Sequence, residues 1–138
     1  MIQHNIHHFP IKIYVEDTDA AGMVYYANYL KFAQRARTEL FQDMGIDHAC
    51  LLKDHQIMVL VKHCTINYCA PAHLGDKLVI ESQVKTIMGA SLTVQQTAWR
   101  ETDKIAEMKV KLACVSVDGN IRRIPKFIID ILNKTSLQ

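Results

Sequence analysis

No run of apolar residues approaches the roughly 20 that cross a bilayer as a helix, so a membrane span is not expected. The first residues, MIQHNIHHFP, hold no basic segment leading into an apolar one, so secretion is not expected either. Charge of one sign is also scarce. A formal net charge of +2 over 138 residues lacks the dense basic face of a nucleic-acid binder. Cys50, Cys64, Cys69 and Cys114 form no CxxC pair and fit buried thiols in a reducing cytosol. Glycine and proline number only 5 and 3, and no linker, repeat or low-complexity tract divides the chain. It is expected to be a single domain over residues 1–138, long enough to hide roughly 70% of its unfolded surface without staples.

What is present is one long helix pattern among strand patterns. His7 to Val15 alternates imperfectly, with Phe9, Ile11, Ile13 and Val15 on one face. Asn28 to Met44 has no internal Gly or Pro, and Gly45 follows as a left-handed cap. Tyr29, Phe32, Ala33, Ala36, Leu40, Phe41 and Met44 recur at helical spacing, and the two alanines allow a sheet to approach closely. Asp47 to Gln56 carries no clear pattern. IMVLVKHCTINY, KLVIESQVKTIM, SLTVQQTAWR and IAEMKVKLACVSV are rich in β-branched residues and separated by APAHLGD, Gly89 and ETDK. Pro125 opens a short last helix, with fraying expected after Asn133. Short connections favour antiparallel pairing of successive strands. The expected architecture is α+β, an antiparallel sheet of about five strands wrapped around one central helix; the other sheet face needs a partner or must be polar, and a dimer is expected.

Between the first strand and the helix lies EDTDAAGMVYYANY. Asp17 suits an ordinary structural role, complementing a helix N-terminus or meeting solvent. Asp19 is followed by Gly22, which lets the chain turn and a ligand approach. Met23 to Tyr26 then forms an apolar, aromatic wall leading to a helix head with unpaired N–H groups. A carboxylate facing such donors across an apolar cleft suits attack on a carbonyl. An acid in an ordinary turn explains the bare pattern as well.

VEDTDAAGMVYYANYLKFAQRARTEL, with its D-x-D-x-x-G-x-V-Y-x-x-N-Y and R-x-R-x-E elements, resembles the hot-dog-fold acyl-CoA thioesterases of the 4-hydroxybenzoyl-CoA thioesterase family. It is most similar to the bacterial branch associated with the Tol-Pal system. INYCAPAHLGDKLVIES resembles the family's next strand pair. The resemblance implies a cytoplasmic hydrolase of short-chain or aromatic acyl-CoA, with Asp19 as general base or nucleophile and the Tyr26 backbone N–H as oxyanion donor. Gly22, Val24, Tyr25 and Tyr26 would bind substrate. No metal and no cofactor are implied, since the CoA thioester is the substrate. The implied assembly is a homodimer or a dimer-based homotetramer with sites at subunit boundaries, and acyl carrier protein is a candidate partner. Two positions depart from the family: Tyr26 stands where many relatives have His, and Ala21 replaces a common glycine, so position 21 need not take a positive φ. Alternatives are an acyl-thioester hydratase or dehydratase, disfavoured by the lack of a loop histidine, and a non-catalytic acyl-CoA sensor, which would need an attached effector module.

Other residues have plainer expectations. Arg35, Arg37 and Glu39 suit a solvated ion-pair face or a subunit contact. His63 suits a structural role, or a pocket wall at a subunit boundary. His4, His7 and His8 lack the spacing of a metal site. Lys62, Lys85, Arg100, Lys109, Lys111, Arg122 and Arg123 are candidates for CoA phosphates, though ordinary solvation explains each singly. Ser91 and Thr93 suit either strand propensity or a pocket lining.

Overall fold

The computed structural model describes residues 6–136. Five antiparallel strands, β1 (His7–Lys12), β2 (Ile57–Tyr68), β3 (Lys77–Met88), β4 (Ser91–Arg100) and β5 (Asp103–Ser116), form one sheet in the order β1-β3-β4-β5-β2. The long helix α1 (Asn28–Asp43) lies on one face, followed by α2 (His48–His55), and α3 (Lys126–Ser136) closes the chain. This is the expected α+β arrangement. Among the described residues no helix is long and apolar enough to cross a membrane.

Period-two burial builds the core. Leu78, Ile80 and Val84 of β3, Leu92, Val94 and Ala98 of β4, and Met108, Val110 and Leu112 of β5 are buried. Tyr29, Phe32, Ala33, Ala36, Leu40 and Phe41 of α1 meet them. Ala33 and Ala36 are fully buried, and the Gln96 amide of β4 donates to the Ala33 carbonyl at 2.9 Å. The helix backbone therefore rests on the sheet, as the two small residues predict.

Several expectations need correction. β1 stops at Lys12, because Val15–Asp17 turns into a single 3-10 turn. Pro10 is tolerated there because β1 is an edge strand. Successive pairing holds for β3-β4-β5, joined by the turns Gly89-Ala90 and Glu101-Thr102, but β2 pairs with β5 rather than β3. β5 begins at Asp103, so the turn uses fewer residues than ETDK. The patternless Asp47–Gln56 segment contains α2, held by an Asp47 side chain that accepts from the Ala49 N–H and ended by Gln56 at φ 56°. α3 continues past Asn133 to Ser136.

Arg37 does not lie on a solvated face. It is 5% exposed and donates to Gln96 Oε1 at 2.9 Å and Gln34 Oε1 at 2.6 Å. Burial lowers its guanidinium pKa. Arg35 is exposed and Glu39 half-buried.

Candidate active site

The acidic loop is shaped by its two aspartates in different ways. Asp17 is buried, and its carboxylate accepts the Tyr14 N–H at 2.9 Å. Its carbonyl accepts the Tyr25 N–H at 3.0 Å and the Asn28 side-chain amide at 2.8 Å. Asp17 is thus an internal fastener between the 3-10 turn and the helix head, neither a solvated acid nor a free carboxylate.

Asp19 is exposed and reaches forward. Its Oδ1 accepts the Ala21 N–H at 2.9 Å and the Met23 N–H at 3.1 Å. Its main chain closes the same loop, with Asp19 N–H donating to Met23 O at 2.8 Å and Gly22 N–H to Asp19 O at 3.1 Å. Gly22 turns the loop at φ 77°, a conformation that side chains disfavour. A Cβ there would touch nothing within 4 Å, so the need for glycine is conformational rather than steric. Ala21 is not among the positive-φ residues, consistent with its replacing a glycine. One carboxylate oxygen is therefore fixed by backbone donors, while among the described residues Oδ2 accepts no hydrogen bond.

The β2–β3 connection closes this loop from the other side. Val24 N–H donates to Ala72 O at 2.9 Å and Leu74 N–H to Gly22 O at 3.0 Å. Arg100 braces the connection through Asp76 at 2.8 Å and the Pro71 carbonyl at 3.1 Å. The His73 N–H and the Arg100 guanidinium hold the Asp76 carboxyl below the usual range. Arg100 is thus engaged with the connection and is not a free phosphate ligand.

Between the two segments lies a cleft of about 510 Å³, lined by Asp19, Met23, Val24, Tyr25, Tyr26, Tyr29 and the stretch Tyr68 to Pro71. Asp19, Val24, Tyr25 and Tyr26, predicted as site residues, share this wall. Gly22 bends the loop behind it and does not line it. Tyr26 and Tyr68 meet edge to face, with centroids 6.3 Å apart, and Tyr29 and Tyr68 likewise at 5.7 Å. The Tyr68 hydroxyl donates to the Tyr26 carbonyl at 3.0 Å. Burial raises the pKa of Tyr29 and Tyr68 above the ordinary phenol value. α1 starts at Asn28, and among the described residues the Tyr26 N–H meets no acceptor.

The Tyr68–Pro71 wall was missed in the sequence. Its only signal was a tyrosine ending a strand just before a proline. Ser91 and Thr93 do not reach this cleft: Ser91 Oγ bonds the Met88 carbonyl at 3.2 Å, and Thr93 lies in a different depression, as does His63. His7 Nε2 contacts Asp43 at 2.8 Å and His8 lies 3.6 Å from Glu81. His4 lies outside the described residues.

Residues 13–133 match the model of the thioesterase-like superfamily. The chain is 40% identical over 109 residues to the acyl-CoA thioesterase YbgC of Haemophilus influenzae, covering 79% of this chain and 80% of that one. It is 34% identical over 123 residues to the acyl-CoA thioester hydrolase YbgC of Escherichia coli, covering 88% and 91%. Among solved structures, a probable thioesterase from Bartonella henselae superposes with TM-score 0.84 at 31% identity, covering 88% of this chain and all of that one. An aspartate-to-asparagine mutant of 4-hydroxybenzoyl CoA thioesterase, complexed with 4-hydroxybenzoyl CoA, shares the fold with TM-score 0.87 at 19% identity, covering 92% and 98%.

Proposed function

The chain belongs to the thioesterase-like superfamily, and we propose that Asp19 and the Tyr26 amide carry out its hydrolysis of acyl-CoA thioesters. Its activity is that of an acyl-CoA thioesterase, the class of its YbgC relatives. The observation that supports the site is that Asp19, with a half-tethered carboxylate, and Tyr26, whose N–H meets no acceptor among the described residues, line one aromatic cleft. With Oδ1 held by two backbone donors, Oδ2 is the oxygen left to activate water or to attack the thioester carbonyl. The Tyr26 N–H would receive the developing oxyanion. Tyr25, Tyr26, Tyr29 and Tyr68 give the cleft an aromatic lining that suits a short or aromatic acyl group.

The finer assignments extend this reading. We place the chain in the Tol-Pal-associated branch and in the cytoplasm, with acyl carrier protein as an alternative thioester donor. We also assign it a dimer-based tetramer. β2 is a 12-residue strand at the sheet edge, and a long open edge recruits a partner strand. Tyr25 and Tyr26 are 48% and 62% exposed, which suits a cleft completed by a second subunit.

A panel of acyl-CoA substrates assayed for free thiol tests the activity. Thiol release is expected. Hydration of an enoyl-CoA without thiol release would replace this reading with a hydratase, and tight binding without turnover would replace it with a sensor. Tyr68 is a positioning residue here, since its hydroxyl holds the carbonyl of residue 26. Tyr68→Phe should lower kcat about fivefold with KM nearly unchanged, the size of one ordinary hydrogen bond of about 1 kcal/mol. A KM rise at constant kcat would instead make Tyr68 a simple binding wall.

A further inference from the structure

The face of the sheet turned away from α1 carries a second cleft, and its lining is cationic. Pairing aligns Thr86 of β3, Thr93 of β4, Lys111 of β5 and His63 of β2 in one row across four strands. Their sequence neighbours Val94, Val110 and Leu112 point to the core, so the row points outward. Gln95 pairs with Lys109 in the adjacent row. Register shifts fall between Val84 and Thr86 and between Val61 and His63. In each the extra residue is a lysine, Lys85 and Lys62. Bulges re-aim side chains, and Lys85 joins Lys109 and Lys111 around a depression of about 370 Å³.

None of these lysines has a carboxylate within 4.0 Å among the described residues. Glu107, which shares their face of β5, is held by Lys104 at 3.2 Å and Gln95 at 3.3 Å. The formal net charge is only +2, so this concentration does not follow from composition. Ammonium groups beside hydroxyls and a carboxamide suit phosphate oxygens. Among the described residues no aromatic ring other than His63 lines the depression, so recognition would fall on phosphates rather than on a stacked base.

The cleft is separate from Asp19. His63 and Tyr68 lie five residues apart on a regular stretch of β2, which puts them on opposite faces and about 16 Å apart along the strand. We propose that this outer cleft binds the phosphates of a second small molecule, a polyphosphate or nucleotide, at a site distinct from that of the thioester.

Calorimetric titration with inorganic tripolyphosphate at low ionic strength tests this. The full chain is expected to bind one equivalent per subunit, and Lys85→Gln/Lys111→Gln to bind at least tenfold more weakly, with its circular dichroism and its KM for acyl-CoA unchanged. Lys109→Gln alone should give a smaller loss in the same direction. Absent binding to the unaltered protein, or equal binding by the double variant, would overturn the site. A KM that rises for acyl-CoA but not for the matching acyl-pantetheine would assign the cleft to the nucleotide of CoA and overturn its independence.

Discussion

Asp19→Asn is expected to lower kcat/KM for an acyl-CoA by about a thousandfold, the middle of the range for a positioned acid–base group, while leaving the fold intact. The reason lies in how the carboxylate is divided. Asparagine keeps an oxygen able to accept the Ala21 and Met23 N–H groups, so the loop around Gly22 has no cause to open. What is lost is Oδ2, replaced by an amide nitrogen that neither accepts a proton from water nor attacks a carbonyl. The Tyr26 amide and the aromatic walls remain, so substrate affinity should persist and the deficit should fall on kcat. Free-thiol release at saturating substrate, with thermal unfolding as a folding control, reads both halves. A folded Asn variant turning over at the rate of the unaltered chain would remove Asp19 from the chemistry.

The legible parts of this molecule were those written locally. Strands β2 to β4 run over the expected residues because β-branched alternation is a property of neighbours, and α1 does so because Ala33, Ala36 and Leu40 mark a buried stripe. α2 was opaque for a physical reason. It has 8 residues and buries only Leu51, so capping and tertiary contact define it rather than periodicity. The pairing of β2 with β5 was opaque because strand adjacency is non-local. The same holds for the site. Asp19, Val24, Tyr25 and Tyr26 lie within one short segment, whereas Tyr68 meets Tyr26 across 42 positions, a distance no motif spacing reports. Two lysine-bearing bulges were equally invisible, since alternation alone cannot show which residue is extra.

Arg37 offered a signal that is clear only in retrospect: a charge set between Ala33, Ala36 and Leu40 on the buried stripe of α1. Its surroundings give the second large expected effect. Gln96 is fully buried, accepts from Arg37 Nη1 and donates to both the Ala33 carbonyl and Ser82 Oγ, each at 2.9 Å. Among the described residues no carboxylate lies within 4.0 Å of Arg37, so dipoles and not an ion pair compensate its charge. Gln96→Leu keeps much of the volume but strips that acceptor, together with the side-chain donor to the Ala33 carbonyl and to the Ser82 hydroxyl. Breaking one side of a buried charged network costs about 3 kcal/mol, or a fall in Tm of about 10 °C for a domain of this size. The paired change Arg37→Met/Gln96→Leu should recover part of that loss, because removing both partners leaves no stranded charge. Thermal and urea unfolding of Gln96→Leu, Arg37→Met and the paired variant completes the cycle. If Gln96→Leu alone unfolded with the unaltered midpoint, the buried guanidinium would need a different source of compensation; if the double variant were no better than the single, the cost would lie in the helix carbonyl and the serine rather than in the charge.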